Sequence, residues 1–321
     1  MKTSSHDGDV FCDGFVKNVQ DNQLKIDFFL DLSEELKKSD VPILPLKGLD
    51  LLFRAYPTLG LRTMADIDLL IRKEDILTVK SALEKKGFQR IPDEGLTYLS
   101  PDKKINLDIV WDIWYLPDTT ALWKRTVKRI FREKEWVCLH PEDALIYNLV
   151  FTVAHRGILT PLFAQDLEFF LEREQAEIDW PRLYKTVLAL KFKIPFYRGF
   201  SYAQTHGTET LPADWLPRFQ PSNSLEEYFA RYYELMTQGT GSPKVSYLFT
   251  WFSYPGLAGK WKLLKWSLLP SRSDFEMRFG ETSRLSYLIH LLFRPFLLVL
   301  KGILLGIKDF FLLLIRQRRE P

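Results

Sequence analysis

The stretch RTMADIDLLIRKED, Arg62 to Asp75, decides how the N-terminal part of this 321-residue chain is read. IDLLI is apolar enough to be a buried strand, predicted over 66–71. Asp66 and Asp68 stand two residues apart, so a strand points both carboxylates to one face. Asp is depleted in strands, and like charges side by side repel. A buried strand with this pattern calls for positive charge at that face. Arg62 or Arg72 is one source of it and a divalent cation is another.

A second acid-bearing strand follows about 40 residues on, KINLDIVWDI at 104–113. Leu107, Ile109, Trp111 and Ile113 fall on one face, and Asn106, Asp108, Val110 and Asp112 on the other. If the two strands are neighbours, Asp108 joins Asp66 and Asp68. Three clustered carboxylates must be protonated, paired or metal-bound. Mg²⁺ suits them because it takes oxygen ligands and completes its shell with water and phosphate oxygens. Two such ions ~4 Å apart hold the attacking and leaving oxygens of a phosphoryl or nucleotidyl transfer.

Upstream, LPLKGLDLL at 44–52 reads as an apolar strand, then Lys47-Gly48, then a helix over 49–56. N–H groups at a helix N-terminus bind phosphate, Gly permits close approach, and Lys47 adds a point charge. The GxxxxGK[ST] spacing of a Walker A loop is missing. In the plainer reading, Gly48 permits a tight turn and Lys47 is solvated.

Around these segments the pattern is that of an α+β protein. Residues 1–22 read as a mobile arm, and helical spacing begins at Gln23. Helix, strand, helix, strand and helix then lead to three further strand-like segments, FQRI, LTYLS and KINLDIVWDI. A mixed-sheet domain is therefore expected over 23–125. Strands largely disappear after it. Helices are expected at 142–155, 161–174, 180–192 and 224–236, in a helical domain over 126–255.

Apolar residues at 46% and charged residues at 26% exclude a disordered chain. A net charge of +3 is too small to imply a nucleic-acid partner. Cys12 and Cys138 form no CxxC or disulfide framework, which favours a reducing compartment. The polar N-terminus has no apolar signal region, so a cytoplasmic location is expected.

The segment 256–321 is a basic, hydrophobic tail with 12 Lys and Arg against 5 Asp and Glu; the other 255 residues sum to −4. Its window 296–315 holds 15 apolar residues, 2 Gly and 3 charges. Insertion gains about 5 to 9 kcal/mol from the apolar set and loses about 8 to 10 to the charges. A spanning helix is therefore not favoured. A C-terminal amphipathic helix on an anionic membrane surface through 285–319 fits better, with Lys and Arg reaching the headgroups; a helix docked on protein is the alternative.

Strand, LKG, helix, R-x-x-x-D-I-D-L-L-I, helix, GF, and a strand carrying D-I-V-W together resemble the bacterial branch of uncharacterised nucleotidyltransferases in the polymerase-beta-like superfamily. The resemblance implies that Asp66, Asp68 and Asp108 are catalytic metal ligands, that two Mg²⁺ ions are used, and that an NTP is the substrate. It also implies that Lys47-Gly48 replaces the Gly-Ser turn of better-known members. Arg62 is expected to neutralise triphosphate or to brace an Asp. His155 and Asp166 match positions where the family places His and Asp, with Asp166 expected to brace a helix. Val110 stands where the family often has His. The activity expected is nucleotidyl transfer to an acceptor hydroxyl that the resemblance does not identify. A degenerate nucleotide- or partner-binding module and a metal-dependent phosphohydrolase are the rivals.

Overall fold

A computed structural model describes residues 5–91, 95–131, 133–237, 260–261, 264–265, 268–269, 272, 275–276, 283–297 and 300. The chain divides into two compact units: Met1–Ala144 with Asp166–Ile178, and Leu145–Gln165 with Asp179–Pro321.

The first unit is built on a five-stranded mixed sheet. Helix α1 (Ser5–Lys37) precedes it and buries Ile26, Phe29, Leu32 and Leu36. Strand β1 (Leu44–Leu46) runs directly into helix α2 (Lys47–Arg54). Strand β2 (Ile67–Leu70), helix α3 (Ile76–Lys85), β3 (Gln89–Arg90), β4 (Thr97–Leu99) and β5 (Asn106–Val110) follow. The spatial order is β1-β2-β5-β4-β3. Only β2 and β5 are parallel; the other three pairs are antiparallel. The expected alternation in β5 holds, with Leu107 and Ile109 buried and Asn106, Asp108 and Val110 half-buried. The α+β class and the mixed sheet are as the sequence pattern predicts.

Two features of this unit differ from the sequence reading. Helix α1 begins at Ser5 rather than near Gln23. Its early turns have work to do against the turn at 59–62. The Asn18 side chain donates to Gly60 O at 3.1 Å, Asn22 donates to Leu59 O and Arg62 O at 2.7 Å each, and Phe15 lies over Gly60. Polar residues at helical spacing are thus spent on tertiary hydrogen bonds that an apolar periodicity does not register. The second feature is a hairpin, β6 (Val127–Phe131) and β7 (Lys134–Cys138), which follows the short helix α4 (Thr120–Lys124). Its charged face hides it: Lys128 pairs with Glu135 at 2.9 Å while Trp136 and Cys138 are buried.

The returning segment of this unit is the greater part of helix α6 (Pro161–Glu174). Arg54 of α2 donates to Asp50 at 3.0 and 2.9 Å, to Leu139 O at 2.8 Å and to Glu174 at 3.4 Å. Arg129 reaches Glu174 and Glu177 at 2.8 Å. Buried charges need such partners. The network ties α2 to Leu139 and to Glu174 at the end of α6.

The second unit is helical. Helix α5 (Pro141–Leu149), which enters this unit at Leu145, continues as a π-helical stretch, Val150–Arg156, that ends at Gly157 with φ +64°. Helices α7 (Trp180–Ala189), α8 (Lys193–Thr205), α9 (Leu216–Phe219) and α10 (Ser224–Thr237) follow. Asp179 caps α7 by accepting from the Arg182 N–H at 3.0 Å. Phe192, Phe196, Phe200 and Phe219 form a fully buried aromatic core. Pro195 and Gly199 mask α8 in the sequence. Gly199 is required by packing, since a Cβ there would meet Leu149 at 3.1 Å and Phe163 at 3.3 Å.

Residues 284–297 are helical, and no helix among the described residues is long and apolar enough to cross a membrane. The expected tail contact over 285–319 falls partly outside the described residues.

Candidate metal and nucleotide site

The register of the sheet assembles the acids. Asp68 on β2 is the direct partner of Asp108 on parallel β5. In parallel strands such partners project side by side from one face. Asp66, two residues before Asp68, projects to the same face just ahead of the strand. One carboxylate oxygen from each of the three lies within 4.8 Å of the others. The sheet therefore brings together the three acids expected from the sequence.

Asp68 is buried at 3% exposure; Asp66 and Asp108 are half-buried. Burial pushes the Asp68 carboxyl up to about 6, with Lys47 opposing the shift and the charges of Asp66 and Asp108 adding to it. Two lysines supply compensation. Lys47 Nζ forms an ion pair with Asp68 Oδ1. Lys25, 6% exposed on α1, donates to Met64 O; burial lowers its pKa, while the charges of Asp21 and Asp66 raise it.

Lys47 reaches Asp68 because of the β1–β2 register. Leu46 is the antiparallel partner of Asp68, and Lys47 is the next residue. There the chain turns from strand to helix in one step, and Lys47 takes a left-handed φ of +48°. This conformation is uncommon for a residue with a Cβ. The left-handed position is thus Lys47, and Gly48 serves another purpose. A Cβ on Gly48 would meet Arg62 Nη1 at 2.6 Å and Met64 Cγ at 3.2 Å. Gly48 makes room for Arg62.

Arg62 is held by a bidentate pair with Asp166, Nε to Oδ1 at 2.7 Å and Nη2 to Oδ2 at 3.0 Å. The Tyr56 hydroxyl donates to Asp166 Oδ1 at 2.6 Å. Burial, with the Asp166 charge beside it, pushes the Tyr56 hydroxyl pKa upward and keeps it a donor. Asp166 thus braces Arg62 from α6. His155 lies in the second unit on the π-helical stretch, with its ring 5.1 Å from that of Phe151.

Two contributors escaped the sequence reading. Thr97 on β4 faces Asp108 across the antiparallel pair, and its hydroxyl donates to Asp108 Oδ1 at 2.5 Å. LTYLS shows a strand, but only register shows which residue opposes Asp108. Lys25 reads in sequence as one more polar helix residue.

A strand-helix turn carrying Lys47-Gly48 thus stands beside three acids on, or just ahead of, two parallel strands. The sequence profile of the family described as "uncharacterised nucleotidyltransferase" matches residues 11–207.

The chain belongs to this nucleotidyltransferase family.

No curated protein matches it. The matched span takes in the whole five-stranded sheet, the acid cluster and helices through α8. The donor set fits a divalent cation of the kind nucleotidyltransferases use. It consists of hard carboxylate oxygens within ligating reach, and an ammonium already stands against one of them as a monovalent counter-charge.

Proposed function

We propose that this chain transfers a nucleoside monophosphate from an NTP to an acceptor hydroxyl, with two Mg²⁺ ions held by Asp66, Asp68 and Asp108. The convergence of these three carboxylates within 4.8 Å carries the reading. Bound Mg²⁺ supplies charge neutralisation for the triphosphate and polarises the phosphorus under attack. The acceptor oxygen forms a bond to the α-phosphorus, and the bond to the bridging oxygen of the β-phosphate breaks. Pyrophosphate leaves with the electron pair. Asp108, oriented by Thr97, positions the acceptor hydroxyl and takes its proton. Lys47 neutralises phosphate charge at the N-terminus of α2, where Leu46 offers no side-chain cap to the first N–H groups. Arg62, fixed by Asp166, adds positive charge beside Gly48. Catalysis of this kind rests on positioning and charge stabilisation.

Incubating the full chain with each α-labelled NTP, Mg²⁺ and a cell extract fraction, followed by mass spectrometry of labelled products, tests the reading. Label transfer that vanishes in Asp66→Asn and Asp68→Asn supports it; full transfer in either variant ends it. Nucleotide binding with no turnover would select a degenerate binding module. Release of phosphate or nucleotide without an acceptor would select a phosphohydrolase.

We also infer contact with the anionic inner membrane face through the tail. Leu285, Leu288, Ile289, Leu292, Phe293 and Phe296 recur at helical spacing within 284–297 and are 49–73% exposed. Lys301, Lys308, Arg316, Arg318 and Arg319 follow in sequence, a composition suited to anionic headgroups. Co-sedimentation with phosphatidylserine vesicles is expected for the wild type and lost in Leu292→Asp/Phe293→Asp. Equal sedimentation of the two would refute the contact.

A further inference from the structure

We propose that Lys47 is a resident counter-cation of the acid cluster, one that divalent metal must displace and that the phosphates of the incoming nucleotide then capture. This inference rests on the metal reading given above and assigns the lysine a second position in it.

Three observations converge. First, the lysine is on the cluster itself: its ammonium contacts Asp68, the most buried of the three acids. A carboxylate oxygen paired with an ammonium is not free to ligate a dication, and the two cations repel when they share one carboxylate. Second, the mobile partner is identifiable. The Asp68 side chain is fixed on a central strand at 4% exposure, whereas the Lys47 side chain is 19% exposed on a flexible four-carbon stem. The lysine moves and the aspartate stays. Third, the backbone at Lys47 is held in an uncommon conformation. A left-handed φ of +48° at a non-glycine residue is a cost that persists where the surroundings impose it, as at ligand clamps. Gly48, which would take that conformation freely, stands one position later, under the anchored Arg62. The residue at the turn is the one whose ammonium pairs with Asp68.

The consequence is an exchange. Without nucleotide, Lys47 covers part of the negative charge and weakens metal binding. A polyphosphate offers the ammonium a stronger anion beside the first turn of α2. When Lys47 transfers to it, Asp68 is released to metal. Metal and nucleotide therefore favour each other's binding, which limits idle metal loading of the empty protein.

Mn²⁺ binding to the nucleotide-free full chain, read by electron paramagnetic resonance, and tripolyphosphate binding without metal, read by calorimetry, test the exchange. Lys47→Met and Lys47→Gln keep the length and remove the charge. Both are expected to bind Mn²⁺ at least tenfold tighter than wild type and tripolyphosphate at least tenfold more weakly. Equal Mn²⁺ affinity in wild type and variants overturns the exchange, and so does equal tripolyphosphate affinity. Asp68→Asn separates this outcome from failure of the metal reading. If Asp68→Asn binds Mn²⁺ as wild type does, the cluster is not the metal site. If it loses Mn²⁺ while the Lys47 variants behave as wild type, the cluster stands and only the exchange falls. Lys47→Arg, which keeps the charge, is expected to remain close to wild type in Mn²⁺ affinity and guards against a folding effect in the neutral variants.

Discussion

The Thr97 hydroxyl donates to Asp108 Oδ1 at 2.5 Å across the β4–β5 pair. This bond engages one of the two carboxylate oxygens and restrains the carboxylate's rotation. Partners of this kind around a metal site contribute roughly 10- to 100-fold to metal affinity when removed.

Thr97→Val should therefore weaken Mn²⁺ binding by about tenfold while leaving the fold intact, because the side chain keeps its volume. Thr97→Ser should restore most of the affinity by returning the hydroxyl. A Mn²⁺ titration of the three proteins decides. Unchanged binding in Thr97→Val would mean that the bond serves only the sheet.

Metal binding should depend on acidity through Asp68. Its carboxyl is raised to about 6, so below that pH a proton competes with metal for the same oxygen. Apparent affinity should fall about tenfold between pH 6 and pH 5 and level off above pH 7. The metal-free protein should show the opposite trend from this group. The folded pKa lies above the ordinary value of 3.8, so the folded state holds the extra proton between the two. That contribution to stability is present at low pH and is lost as pH rises through about 6. Denaturant titrations at pH 5 and pH 7, with and without Mg²⁺, measure both. In Asp68→Asn this component of the pH dependence should vanish.

Gly48→Ala should destabilise the protein by about 1 to 3 kcal/mol through overpacking. The added Cβ would meet Arg62 Nη1 at 2.6 Å, and the guanidinium cannot swing aside without breaking its two bonds to Asp166. A double-mutant cycle with Arg62→Ala provides the check. The penalty of Gly48→Ala should shrink once the guanidinium is gone, with a coupling of about 1 kcal/mol or more. Strict additivity would show that the clash relaxes elsewhere.

Asp166→Ala should cost about 2 to 3 kcal/mol in urea unfolding. It strips a carboxylate from both Arg62 and Tyr56 and leaves a largely buried guanidinium without its partner. Tyr56→Phe, which removes one donor and keeps the ring, should cost about 1 kcal/mol. Equal losses in the two variants would contradict the assignment of Asp166 as the hub.

Much of the site was legible because strand periodicity is local. The period of two places Asp66 with Asp68, and puts Asp108 opposite Leu107 and Ile109, with no knowledge of partners. The brace of Arg62 on Asp166 was not legible in the same way. The two residues lie 104 positions apart, and Arg62 reads equally well as a phosphate ligand. Gly48 was legible as a special position but for another reason, since the left-handed turn falls on Lys47.

Sequence alone determined the two acid-bearing strands, the faces on which their acids lie, and the apolar stripes of several helices, since each depends on side-chain spacing along one segment. Tertiary structure decided what those faces meet. The parallel register of β2 and β5 sets Asp68 beside Asp108, β4 brings Thr97 to the second acid, and the turn at Lys47 delivers an ammonium to the first. Register is settled by burial of the whole sheet, and a slip of one residue would turn Asp68 to the opposite face. That energy is shared among segments distant in sequence, so no single stretch records it.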